Sequence, residues 1–115
     1  MSDLEELRDR MRAFTVARDW EKFHDPKSLL LALMGEVGEL SELFQWLPAD
    51  LARDVTQTEP LKTRVGEELS DVLLYLVRLA DVLDIDLADA AQRKMDSSES
   101  RFSTSDFQGN APEKN

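Results

Sequence analysis

Glu36 and Glu39, and again Glu68 and Asp71, are acid pairs spaced i, i+3. On a helix that spacing places both carboxylates on one side, roughly 60° apart. Their neighbours decide whether that side meets water. With Glu36 at the origin of a helical wheel, Leu29, Leu40, Leu43 and Leu47 fall within about 40° of it. With Glu68 at the origin, Leu61, Val72, Tyr75 and Leu79 do the same, again within about 40°. Glu42 and Glu67 come out roughly 100° to 120° away and read as ordinary solvated acids. Glu36, Glu39, Glu68 and Asp71 therefore belong to apolar stripes, where a carboxylate costs several kcal/mol unless a cation faces it.

The chain offers few such cations. Between Ser28 and Leu83, Arg64 lies on the same arc and Arg78 at its margin, too few to neutralise four acids. Two helices turning i, i+3 acid pairs toward a shared interior make an all-oxygen cage suited to Mg2+, or Mn2+. Other metal and covalent chemistry is removed by composition: cysteine is absent and His24 is the sole histidine, which excludes thiolate catalysis and polyhistidine or sulfur-ligated zinc. His24 itself reads as a local hydrogen-bonding residue rather than a base or ligand. Three of the four glycines, Gly35, Gly38 and Gly66, sit inside predicted helices beside the acids, each at a cost of about 1 kcal/mol relative to alanine. Either a close helix crossing or room for a bulky ligand offsets that cost.

The elements that must hold these residues are helical. Apolar residues recur at helical spacing in four stretches and strand alternation is nearly absent, so the fold class is all-α, a four-to-five-helix bundle. Helices are expected over residues 3–18, 26–47, 61–83 and 87–96. Asp25-Pro26 is a start signal for the second, Pro48 a stop, and Asp86 with Asp89 a cap for the fourth. Residues 49–60 read as a loop with room for one helical turn, residues 1–102 as one domain and 103–115 as a flexible tail.

Charge and length bound the rest. The 115 residues carry a net charge of −10, with 42% hydrophobic and 33% charged residues. That supports one folded core, opposes a nucleic-acid-coating role, and leaves no apolar run long enough for a membrane span. An acidic start, Met-Ser-Asp-Leu-Glu-Glu, lacks signal-peptide character, and the expected location is the cytoplasm.

Placed together, these segments resemble a known family. Glu36-x-x-Glu39 followed by Glu68-x-x-Asp71 is similar to the metal signature of the MazG-like all-α nucleoside triphosphate pyrophosphohydrolases. The run from Ala17-Arg18-Asp19-Trp20 through His24-Asp25-Pro26-Lys27-Ser28-Leu29, then Phe44-Gln45-Trp46, Glu67-Glu68-Leu69-Ser70-Asp71 and Lys94-Met95 to Arg101-Phe102, looks like the dCTP pyrophosphatase branch. The resemblance spans about Leu7 to Phe102.

It implies Mg2+-dependent cleavage of a nucleoside triphosphate, dCTP or a modified pyrimidine deoxynucleotide, to monophosphate and pyrophosphate, as nucleotide-pool sanitation. Glu36, Glu39, Glu68 and Asp71 are the implied catalytic metal ligands. Trp20 and Trp46 would enclose the base, Tyr75 would place a phosphate or sugar oxygen, and Lys27, Lys94, Ser98 and Arg101 would contact the nucleotide. Plain core packing is the competing role for the aromatics. Ser28 and Ser98 stand where the family usually has asparagine, and Met11 where animal relatives have histidine, so the base preference is open. The family's subunits share helices to complete each site, as dimers that pair into tetramers. Another triphosphate as substrate, or a non-enzymatic acidic helical adaptor, are the alternative readings.

Overall fold

The computed structural model describes residues 1–113, and every regular element in them is helical. In chain order these are α1 (Asp3–Ala17), a single 3-10 turn (Glu21–Phe23), α2 (Pro26–Glu42), α3 (Ala52–Val55), α4 (Leu61–Val82), α5 (Leu87–Arg101) and α6 (Thr104–Phe107). The four long helices fall where apolar periodicity put them. α2 packs most extensively on α4, and α1 lies across α4 and touches α5.

Local chemistry explains most of the boundaries. At the start of α2, Asp25 accepts the Ser28 amide hydrogen at 2.9 Å, and Pro26 takes the first helical position, where no partner for an amide hydrogen exists. Asp86 caps α5 in the same way, accepting from Asp89 N at 3.1 Å. Ser2 and Glu5 form a capping box on α1. α1 and α4 both close through a residue in the left-handed region, Asp19 (φ 54°) and Asp84 (φ 56°). In each case the next amide reaches back into the last turn: Trp20 N donates to Thr15 O at 3.0 Å and Ile85 N to Ala80 O at 2.9 Å.

Two helix ends depart from expectation. α2 ends at Glu42, short of Pro48, because Leu43 and Phe44 switch to tighter bonds, Leu43 N to Leu40 O and Phe44 N to Ser41 O. α5 runs past residue 96 to Arg101, since its serines cost little helix propensity and Phe102 N closes the last turn onto Ser98 O at 2.8 Å. Beyond it, Phe107 of α6 meets Phe102 edge-to-face at 5.2 Å, so the segment expected to be a loose tail contains a packed helical turn. The last two residues of that tail, 114–115, lie outside the described residues.

The protomer is open. Its radius of gyration is 17.6 Å, where a compact chain of this length has about 13 Å. Among the described residues the buried apolar side chains are Leu29, Val77 and Ala80, while Leu31, Met34, Leu69 and Met95 are more than half exposed. No described helix is long and apolar enough to cross a membrane.

Candidate active site

Because α2 lies along α4, the two acid pairs meet. Carboxylate oxygens of Glu36, Glu39 and Glu68 all fall within 4.8 Å of one another. Glu39 is exposed, whereas Glu36 and Glu68 are half-buried. The Oε2 atoms of both half-buried glutamates are closed off from solvent with no hydrogen-bond partner. Asp71, one turn further along α4, stays outside this close set, yet its charge acts on Glu36 and Glu68.

Burial, followed by the like charge of Glu39, raises both Glu36 and Glu68 above the ordinary glutamate value. No ion pair among the described residues relieves them. Arg78, the marginal candidate on the wheel, bonds Asp81 instead, Nη1 to Oδ2 at 3.0 Å. Orphaned buried oxygens on an all-carboxylate donor set fit a hard divalent cation, and the cluster contains neither sulfur nor imidazole for a softer one.

Asp71 also lines a second feature, a cavity of about 480 Å³ between α1, α2 and α4. Its walls are largely apolar and aromatic: Leu7, Met11, Phe14, Trp20, Leu29, Leu74 and Tyr75. Trp20 is set there by the closure of α1, which folds the chain back so that its ring meets Phe14 edge-to-face at 5.6 Å. A pocket of this size and character suits a small, flat organic group. The acid cluster beside it suits the charged part of the same ligand.

Behind the cavity wall runs a charged chain of side chains. Arg12 Nε donates to Asp81 Oδ2 at 3.1 Å, and Arg78 Nε donates to His24 Nδ1 at 3.0 Å. Arg78 is only 7% exposed. Arg12, chiefly through its hydrogen bond, holds Asp81 below the ordinary carboxylate value. Burial and then Arg78 lower His24, against a smaller opposing effect of Glu21.

Of the residues singled out from sequence, Glu36, Glu39 and Glu68 form the cluster, and Asp71, Trp20 and Tyr75 line the cavity. Lys27, Trp46, Lys94, Ser98 and Arg101 do not line it. Trp46 is 87% exposed, and Arg101 lies over the Phe102 ring at 4.6 Å. Sequence reasoning missed Arg10 and Arg78 as cavity residues. The Asp81 partner of Arg78 stands i, i+3 along α4 and could have been read, but the contact of Arg78 with His24, in the turn before α2, has no local signal. The glycines resolve differently from the close-crossing explanation: a Cβ added at Gly35, Gly38 or Gly66 meets nothing within 4 Å.

The fold and the cluster define an all-α protein organised around facing carboxylate pairs. The chain belongs to the MazG nucleotide pyrophosphohydrolase domain family, whose model matches residues 24–103. It is 50% identical over 101 residues to mouse dCTP pyrophosphatase 1 and 46% identical over 99 residues to the human protein of that name, matches that cover 86% of this chain. The matched part is 58% of the length of each mammalian protein. A solved structure of a pyrophosphatase from Archaeoglobus fulgidus superposes with a TM-score of 0.80 at 39% identity, covering 90% of this chain and 94% of that one.

Proposed function

We propose that this chain is a nucleoside triphosphate pyrophosphohydrolase that hydrolyses dCTP, or a modified pyrimidine deoxynucleoside triphosphate, to the monophosphate and pyrophosphate, and so cleanses the nucleotide pool. The observation that carries the reading is the pair of buried, partnerless oxygens on Glu36 and Glu68 within a three-carboxylate cluster. With the carboxylates ionised, a bound cation makes that arrangement favourable. Family membership supports the reaction class, and the dCTP pyrophosphatase relatives support the choice of substrate.

Glu36, Glu39 and Glu68, with Asp71 at the edge, would hold Mg2+. The ion supplies charge neutralisation for the polyphosphate and a more acidic water when bound. Glu36 and Glu68 are raised above the ordinary glutamate value, which suits one of them to take a proton from the attacking water. Trp20 and Tyr75 enclose the base in the cavity, and Asp71 joins the cavity to the cluster. Lys27, Lys94, Ser98 and Arg101 reach the nucleotide from a neighbouring subunit rather than from their own.

Surface area supports an assembled form. The protomer exposes 9061 Å², roughly 2,700 Å² more than expected of a folded monomer of 13.1 kDa. Counted over two protomers, about 5,400 Å², that excess lies at the upper end of what obligate homodimers bury. The partner would cover the exposed apolar faces of α2 and α4, and dimers would pair into tetramers.

A panel of triphosphates with Mg2+, assayed for pyrophosphate release, tests the reading. dCTP or a 5-modified derivative should give the highest kcat/KM, with dUTP, purine triphosphates and phosphoribosyl-ATP behind. Failure to hydrolyse any of them, with no Mg2+-dependent rise in melting temperature, favours the acidic adaptor.

A further inference from the structure

α1 forms one wall of the cavity through Leu7, Arg10, Met11, Phe14 and Thr15. Little apolar burial holds it there. The buried apolar side chains among the described residues are Leu29 on α2 and Val77 and Ala80 on α4, so α1 contributes none. Its buried residue is Thr15, whose hydroxyl is satisfied by carbonyls of the same helix, Met11 O at 3.1 Å and Arg12 O at 2.9 Å. Phe14 and Val16 are about half exposed.

What fixes α1 on α4 is polar. Arg12 lays one edge of its guanidinium on Asp81, Nε donating to Oδ2 at 3.1 Å and Nη2 to Oδ1. Among the described residues no other side-chain hydrogen bond joins α1 to another helix. Arg8, a second α1 cation near Asp81, bonds Asp9 of its own helix at 3.0 Å instead. Asp81 does not line the cavity; it lines a separate small crevice with Leu4, Glu5 and Ile85. Its Oδ2 also accepts from Arg78 Nη1 at 3.0 Å, and Arg78 does line the cavity.

One carboxylate therefore takes two arginines, one from the α4 wall of the cavity and one from the helix that lies over it. The two contacts differ in their surroundings. The Arg12 side chain is 53% exposed, whereas those of Asp81 and Arg78 are 10% and 8% exposed. Loss of Arg12 leaves a buried pair intact, while loss of the Asp81 charge strands a buried guanidinium in the cavity wall. Arg12, chiefly through its hydrogen bond, also keeps Asp81 in the ionised form that both arginines need.

We propose that Asp81, although outside the cavity, is a positioning residue for the substrate, because by joining Arg12 of α1 to Arg78 of the wall it docks α1 over the cavity. The proposal rests on the triphosphate reading of the site and adds the clasp that keeps the cavity formed.

Arg12 variants test the clasp without touching the cavity lining. With the best substrate of the triphosphate panel and Mg2+, Arg12→Ala should raise KM about fivefold with a smaller change in kcat, since substrate then binds only the fraction of molecules in which α1 is docked. Arg12→Lys keeps the charge without the fork and should fall between Arg12→Ala and wild type. Asp81→Asn removes both attachments and should raise KM further, by more than about tenfold. The Arg12 variants decide the proposal whether or not Asp81→Asn folds. Equal KM values for Arg12→Ala and wild type, or a loss confined to kcat, overturn it.

Hydrogen exchange of the backbone amides, recorded without nucleotide, gives a second readout. Arg12→Ala should exchange faster than wild type over α1, with α2 and α4 unchanged around Glu36 and Glu68. Unchanged exchange over α1 overturns the clasp whatever the activity. If the wild-type protein turns over no triphosphate, the reading of the site fails and the substrate role of Asp81 with it, while the exchange result still judges the docking of α1.

Discussion

At the scale of single residues, the acid cluster makes opposite demands on stability and on binding. Glu36 and Glu68 are raised above the ordinary value of 4.5, so the folded state holds their protons more tightly than the unfolded state. Their contribution to stability is therefore full below about pH 4.5 and is lost as pH rises through the raised folded values. In EDTA at pH 7.5, Glu36→Gln should melt above the wild type, and the difference should shrink as pH is lowered toward 4.5. Magnesium should reverse the order. A hundredfold excess over Kd stabilises the wild type by about 2.7 kcal/mol, and differential scanning fluorimetry of Glu36→Gln should show little of that gain. Asp71→Asn should lower kcat/KM on the order of 100-fold or more without loss of helical circular dichroism. The four acids were legible because an i, i+3 pair within a leucine stripe breaks the rule that charges face water. Arg78 was not, since an arginine at the margin of an arc looks the same whether it meets solvent, the cluster or a histidine 54 positions away.

At the scale of elements, helix ends set the site. Asp25 and Asp86 announce their helices because a side-chain acceptor at the cap is a local requirement, satisfied by residues three apart. Asp25→Ala should cost about 1 kcal/mol by urea denaturation. The left-handed residues closing α1 and α4 are equally local but are aspartates rather than glycines, so composition hides them. Asp84→Gly should stabilise the protein by up to about 1 kcal/mol, since glycine adopts that conformation without a Cβ penalty. The same substitution at Asp19 should leave the fold intact, and Trp20 should stay at the cavity, because the Trp20 N to Thr15 O bond is a backbone bond. Gly66→Ala meets open space and should raise stability by about 1 kcal/mol through helix propensity; a fall in melting temperature would place another chain against that face.

At the scale of the whole molecule, the open protomer is what supports the proposed assembly. Leu31 and Met34 are about 60% exposed on α2, the helix that carries Glu36 and Glu39. Leu31→Asp with Met34→Glu should shift the protein to monomers in light scattering and abolish turnover, while Mg2+ binding by the three-glutamate cluster persists in part. Short-range patterns in the chain suffice for the helical class, the four long helices, the caps of α2 and α5 and the acid pairs, because each of these is written within a turn or two of helix: periodicity, an i, i+3 spacing, an acceptor at a cap. Packing between helices settles which acids converge, that Asp71 lines the cavity and stays outside the close cluster, and that Trp20 lines the cavity while Trp46 does not. It alone joined Arg12, Asp81, Arg78 and His24. Such pairings depend on how α1 and α2 lie across α4, and that packing is set by the burial of many weakly specific apolar contacts, which no single stretch of sequence encodes.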